Sequence, residues 1–214
     1  MRHFAQVKSY PTELSERLII FAKAPRAGEV KTRLVPQLGK EGALAAYITL
    51  LKTLVSNLNA VRDGAVFYSP EDGEVELQAF FPKAWQFQAQ SGADLGERLT
   101  NAFRASLRDA RKVIAIGSDC PYVTADDVQT AFESLTTNDL VIGPATDGGY
   151  WLIGMKRLYA SLFEGISWGT ERVLEQTLKQ SRALSLRTRM LRKLTDIDTL
   201  ADWEEFCRTR KTVS

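Results

Sequence analysis

The chain has 214 residues, 44% of them hydrophobic and 25% charged, with a formal net charge of +2. That length suffices for one well-buried core, the composition is that of an ordinary globular domain, and so small a charge argues against a nucleic-acid partner. Two cysteines without C-x-x-C spacing, one histidine at position 3, and no apolar run near the ~20 residues of a membrane helix exclude disulfide, structural-zinc, Ser-His-Asp and membrane-spanning classes. The cysteine usage points to a reducing, cytoplasmic compartment, and residues 1–10 lack the apolar stretch of a signal peptide.

Residues 1–15 read as an irregular extension before a buried strand at 17–22, whose core is Leu18-Ile19-Ile20-Phe21-Ala22. A basic loop follows, then helical spacing over 39–59, with Leu44, Tyr47, Ile48, Leu51, Leu54, Val55 and Leu58 on one face. Strands are predicted at 65–68 and 85–89, with a short helix at 75–80 between them. A helix at 95–110 leads to a second buried strand at 112–117, and Thr124 before Asp126 and Asp127 is an N-cap signal for a helix to about 135. Apolar runs at 140–144 and 150–155 flank an Asp-Gly-Gly turn. A helix from Thr170 to about 180, an extended stretch at 184–194 and a helix at 199–208 complete the pattern. Alternating strands and helices define an α/β chain with a mostly parallel sheet, partly antiparallel in its second half.

Parallel sheets bind ligands beyond the carboxyl ends of their strands. The loop after the first strand, Lys23-Ala24-Pro25-Arg26-Ala27-Gly28-Glu29-Val30-Lys31-Thr32-Arg33, offers cations and one glycine for close backbone approach to phosphate. It is not a P-loop, because Pro25 and Val30 occupy the two required glycine positions; the competing reading is a solvated basic loop. After the second buried strand comes Gly117-Ser118-Asp119-Cys120-Pro121. A strand-end aspartate facing a crevice calls for a cation. One carboxylate plus substrate phosphates suffices for Mg²⁺, and Mn²⁺ accepts the same ligands; the alternative is a turn residue before Pro121. Cys120, with no histidine partner, reads as a buried filler. Asp147 in Thr146-Asp147-Gly148-Gly149-Tyr150 is either a hairpin-turn residue or a second carboxylate facing metal or an acceptor hydroxyl. Tyr150, Trp151 and Trp168 are candidates to wall an acceptor pocket. Asp196-Ile197-Asp198-Thr199 reads as a capping segment for the last helix.

Taken in order, Phe21-Ala22-Lys23-Ala24-Pro25, Gly28, Lys31-Thr32-Arg33-Leu34, Gly117-Ser118-Asp119-Cys120-Pro121, Thr146-Asp147-Gly148-Gly149-Tyr150, Trp168 and Asp196-Ile197-Asp198-Thr199 form a distinctive set. Across residues 16–209 the chain resembles a bacterial family in the nucleotide-diphospho-sugar transferase superfamily, of GT-A type fold. Its members are often labelled glycosyltransferases, and some are connected with arsenosugar biosynthesis. The resemblance implies a Rossmann-like three-layer α/β/α domain over 16–214 with a mostly parallel mixed sheet. It places Asp119 at the superfamily's metal position. The usual Asp-x-Asp is reduced here to Ser118-Asp119, which makes Asp147 the candidate for the missing carboxylate.

On this resemblance the leading expectation is Mg- or Mn-dependent transfer from a nucleotide-sugar donor to a small-molecule acceptor. Lys23, Arg26, Gly28, Lys31, Arg33 and Ser118 would meet the nucleotide. Asp119 would hold the metal and Asp147 would serve the acceptor as catalytic carboxylate. Gly148, Gly149, Tyr150 and Trp168 would line the acceptor pocket. The Lys31-Thr32-Arg33-Leu34 and Asp-Gly-Gly elements also resemble phospholactate guanylyltransferases. The alternative is therefore nucleotidyl transfer from a triphosphate to a phosphorylated small molecule, with pyrophosphate release. A non-catalytic nucleotide-binding protein of the same fold is a third expectation.

Overall fold

A computed structural model describes residues 15–211 of the chain; His3 and all but the last residue of the expected N-terminal extension lie outside them. Seven strands form one sheet: β1 (Glu16–Lys23), β2 (Gly64–Ser69), β3 (Gln86–Ala89), β4 (Lys112–Gly117), β5 (Leu140–Pro144), β6 (Tyr150–Met155) and β7 (Thr188–Met190). Their order is β3-β2-β1-β4-β6-β5-β7. Every pairing is parallel except those of β6, which runs against β4 and β5. The helices are α1 (Val35–Asn57), α2 (Glu74–Gln78), α3 (Leu95–Ser106), α4 (Ala125–Thr137), α5 (Val173–Ala183) and α6 (Leu200–Lys211). This is the three-layer α/β fold that the sequence implies.

The period-2 alternation of a strand sends successive side chains to opposite faces, and here both faces are covered. Leu18 and Ile20 of β1 and Ile114 and Ile116 of β4 pack with Tyr47, Leu51 and Leu54 of α1 and Val128, Phe132 and Leu135 of α4. Ile19, Val113 and Ala115 point the other way, against Leu99, Ala102 and Phe103 of α3 and Phe163. Burial on both sides explains why these strands read as continuous apolar runs.

Four elements differ from expectation. α1 begins at Val35 and kinks at Gly39, where φ is +71°, so the predicted start at 39 is the kink. α3 stops at Ser106, and Leu95 faces solvent at 42% exposure. Thr170 accepts a hydrogen bond from the Arg172 amide one turn early, and α5 starts only at Val173. Of the stretch predicted as extended over 184–194, only Thr188–Met190 pairs as a strand. The Thr124 cap is present as a full capping box with Asp127. Among the described residues no helix is long and apolar enough to cross a membrane.

The parallel strands all end at one edge, and antiparallel β6 begins there. The loops after Lys23, Ser69, Ala89 and Gly117 therefore gather with the turn between Pro144 and Tyr150. Tyr47 of α1 fastens this edge. Its hydroxyl donates to the Lys23 carbonyl at 2.8 Å, accepts from the Lys23 amide at 3.0 Å and lies 3.3 Å from Ser118 Oγ. Burial pushes this phenol up to about 12. Tyr47→Phe strips both backbone partners from Lys23 and is expected to lower unfolding free energy by about 1–3 kcal/mol. Urea denaturation checks this, with the midpoint falling and the slope unchanged.

Candidate functional site

The crevice forms where three distant segments meet at the strand edge. The first is the loop after β1. Gly28 takes φ +84°, and Lys31 sits in the left-handed region at φ 45°, ψ 43°. A lysine there costs roughly 1–2 kcal/mol, so contacts must hold it. They are made by its ammonium, which lies 2.8 Å from Asp119 Oδ1 and 3.2 Å from Asp198 Oδ1 and donates to the Ile197 carbonyl at 2.6 Å. The Lys31 side chain is only 4% exposed.

The second segment is Ser118-Asp119-Cys120 after β4. Ser118 is buried with its hydroxyl toward Tyr47, while the Asp119 side chain remains 46% exposed to the crevice. Cys120 is buried, its thiol aimed at the Thr195 carbonyl at 3.6 Å; desolvation and the nearby Asp196 carboxylate push that thiol far up, so it is a filler rather than a nucleophile. The third segment is Leu194 to Asp198. It bridges to Ala145, accepts the Thr146 amide at the Leu194 carbonyl and donates the Ile197 amide to the Asp119 carbonyl. It therefore lies between the β4 loop and the Asp-Gly-Gly turn.

That path carries Asp196 into a field of other carboxylates. Burial first, then the charges of Asp119, Asp147 and Asp198, push Asp196 up to about 7, with Lys31 pulling the other way. Asp198 bridges Lys31 and Arg33, the latter at 3.1 Å. Neither aspartate caps α6. Thr199 does so, exchanging side-chain and backbone hydrogen bonds with Asp202. The segment therefore caps the last helix as expected, through Thr199. Thr199-x-x-Asp202 is a capping box, which leaves the two preceding carboxylates without that duty, and their place in the crevice was not read from the sequence. Tyr47 was missed too, its polar end being hidden in a helical stripe of core residues.

The other expected site residues fall as follows. Lys23 is exposed at the end of β1. Arg26 is clamped by Glu76 at 2.7 Å and Asp72 at 3.1 Å, so its charge anchors α2 to the basic loop and is already met by two carboxylates. Asp147 accepts the Gly149 amide at 2.9 Å, the turn reading of this segment. Gly148, at φ +88°, is wedged against Glu171; a Cβ there would meet the Glu171 carbonyl oxygen at 2.2 Å. Tyr150 and Trp168 pack edge to face at 6.5 Å against the second core layer, and the Tyr150 hydroxyl is buried. Both residues remain partly exposed. In the segment around β7, Arg187 pairs with Asp139 and Arg192 with Asp127.

Among the described residues no three His, Cys, Asp or Glu side chains converge closely enough to hold a metal ion by themselves. Mg²⁺ needs fewer, since one or two carboxylates plus phosphate oxygens suffice. The donor set at Asp119 and Asp196 fits such an ion, because both are hard oxygen ligands and Asp196 lies in negative charge that a cation would relieve.

The fold and the strand-edge crevice define the class, which is that of the α/β nucleotide-diphospho-sugar transferases. The chain belongs to the bacterial family described as "Uncharacterized protein conserved in bacteria (DUF2064)", whose model matches residues 53–170. A solved Desulfovibrio desulfuricans G20 protein, provisionally described as a nucleotide-diphospho-sugar transferase, is 33% identical. Its TM-score is 0.86, and the match covers 93% of this chain and 89% of that one. A 2-phospho-L-lactate guanylyltransferase of Methanobrevibacter ruminantium is 27% identical over 149 residues. That match spans 64% of either chain, less than two thirds of the relative's length. A phosphoenolpyruvate guanylyltransferase of Sphaerobacter thermophilus is 27% identical over 183 residues, 84% of this chain and 87% of the relative.

In metal-free protein the raised Asp196 makes stability depend on pH. The folded state keeps a proton that the unfolded chain releases near pH 4. The contribution is therefore fully present below about pH 4 and is lost as pH rises through about 7. Asp196→Asn cannot ionise. In EDTA its Tm is expected to exceed the parent's at pH 8, with the gap narrowing as pH falls toward 4; thermal melts across that range check it.

Proposed function

We propose that this protein is a metal-assisted nucleotidyltransferase. It joins a nucleoside triphosphate, with GTP as the expected donor, to a phosphorylated small acid and releases pyrophosphate. The observation that carries the reading is the convergence of Lys31 and Arg33 with Asp119 at the strand edge. Cations for a polyphosphate stand there beside a carboxylate for a divalent ion. The two guanylyltransferase relatives support the same chemistry over glycosyl transfer.

The state of Asp147 supports it too. A hydroxyl acceptor must lose a proton to a base, and the expected base has one oxygen engaged by the Gly149 amide. A phosphate acceptor needs none, since its second ionisation lies near pH 6. Its oxygen attacks the α-phosphorus, the bond to the bridging oxygen breaks, and pyrophosphate leaves with that electron pair. Lys31 and Arg33 would neutralise the phosphates, Lys23 would add positive potential at the mouth, and Gly28 would let the backbone approach. A divalent ion, Mg²⁺ or Mn²⁺, would be held by Asp119 and Asp196 and would offset charge on the phosphate oxygens.

Pyrophosphate release measured with each nucleoside triphosphate, Mg²⁺ and a panel of phosphorylated hydroxy and enol acids tests the reading. Release with GTP that requires the phosphorylated acid is expected. Asp119→Asn is expected to cut it by about 100-fold or more with Tm retained. Release of a nucleoside diphosphate from a nucleotide-sugar, with no triphosphate consumed, would overturn the proposal in favour of glycosyl transfer.

A further inference from the structure

We infer that Lys31 is an internal cation that keeps Asp119 closed to a divalent ion until the phosphates of an incoming nucleotide draw its ammonium away. The inference rests on the function proposed above and assigns this residue control over the order of loading.

An ammonium has three N–H donors, and the three acceptors around Lys31 are Asp119 Oδ1, Asp198 Oδ1 and the Ile197 carbonyl. The side chain is almost fully buried, so it lies inside the site rather than across its surface. A divalent ion on Asp119 must sit about 2.0–2.2 Å from a carboxylate oxygen. With the ammonium already 2.8 Å from that carboxylate, both cations would lie within a few ångströms of each other in a partly dry crevice, where like-charge repulsion is strong.

Two features make the ammonium releasable. The Lys31 backbone is in the left-handed region, which a lysine adopts only when its contacts hold it there. Departure of Lys31 also does not strand Asp198, because Arg33 contacts the other oxygen of that carboxylate at 3.1 Å. Phosphate is the natural competitor, since lysine binds it as a point charge. Metal and nucleotide would then load together.

The test uses the full chain and two probes. Mn²⁺ alone is titrated by following free-ion electron paramagnetic resonance, and inorganic pyrophosphate is titrated by calorimetry in EDTA. Lys31→Gln is paired with Lys31→Gly, because glycine accepts the positive φ and protects the loop fold. Both variants are expected to bind Mn²⁺ about tenfold or more tightly than the parent and to bind metal-free pyrophosphate about tenfold or more weakly. Adding Asp119→Asn to Lys31→Gln is expected to remove the Mn²⁺ gain. Opposite signs separate a gating role from a structural one, which would weaken both ligands. Mn²⁺ affinity unchanged or reduced in both variants would overturn the inference and leave the proposed function standing. Absence of Mn²⁺ binding in parent and variants alike would overturn it together with the metal assignment to Asp119.

Discussion

The gathering of three carboxylates around the buried Asp196 is the constraint around which this site is built. Asp119, Asp147, Asp196 and Asp198 come from three separate loops at one edge of the sheet. A carboxylate taken out of water is tolerated only when paired or hydrogen-bonded. Three of the four are compensated within the chain. Asp119 and Asp198 share the Lys31 ammonium, Asp198 adds Arg33, and Asp147 takes the Gly149 amide. Lys31 consequently ties together segments more than 160 residues apart in the chain, and its unfavourable backbone angle shows how strongly those contacts dictate the loop.

The sheet was legible because burial on both faces leaves a signature in sequence. The runs around Ile19 and Ile114 are continuous and end abruptly, and the motifs that follow them are strand-end loops. Boundaries were legible only where local chemistry decides them. The Thr124 capping box was readable, whereas the kink at Gly39 and the late start of α5 depend on packing that no local pattern records. β7 illustrates the limit well. Three residues pair with β5 because α5 and the Asp139–Arg187 contact bring them alongside, and nothing in residues 184–194 alone marks which three.

The site was half legible for a similar reason. Asp119 could be placed because one strand and one turn fix it. Lys31 was expected to serve a ligand, and its position beside Asp119 and Asp198 adds a partner that spacing cannot reveal. The capping role of the Asp196–Thr199 segment was legible because Thr199 and Asp202, three residues on, complete a local rule. The approach of Asp196 and Asp198 to Asp119 and Lys31 depends on a returning chain path that no local rule records. Arg26 likewise gains partners that spacing cannot reveal, Asp72 before α2 and Glu76 within it.

The four aspartates are compensated in different ways. A carboxylate whose charge is met by backbone amide, as Asp147 is, shapes the turn that Gly148 wedges against Glu171. A carboxylate met by two cations, as Asp198 is, positions those cations. Asp196 has neither, and its raised proton affinity follows from burial beside three like charges. Such a group is stable either protonated or beside an added positive charge. It lies near Asp119, which combines exposure to the crevice with a place just past the end of a central strand. The bonds from Ala145 and Thr146 to Leu194, and from Ile197 to Asp119, hold the segment returning from β7 across the strand edge, and so bring a carboxylate from the far end of the chain beside the Ser118-Asp119 loop.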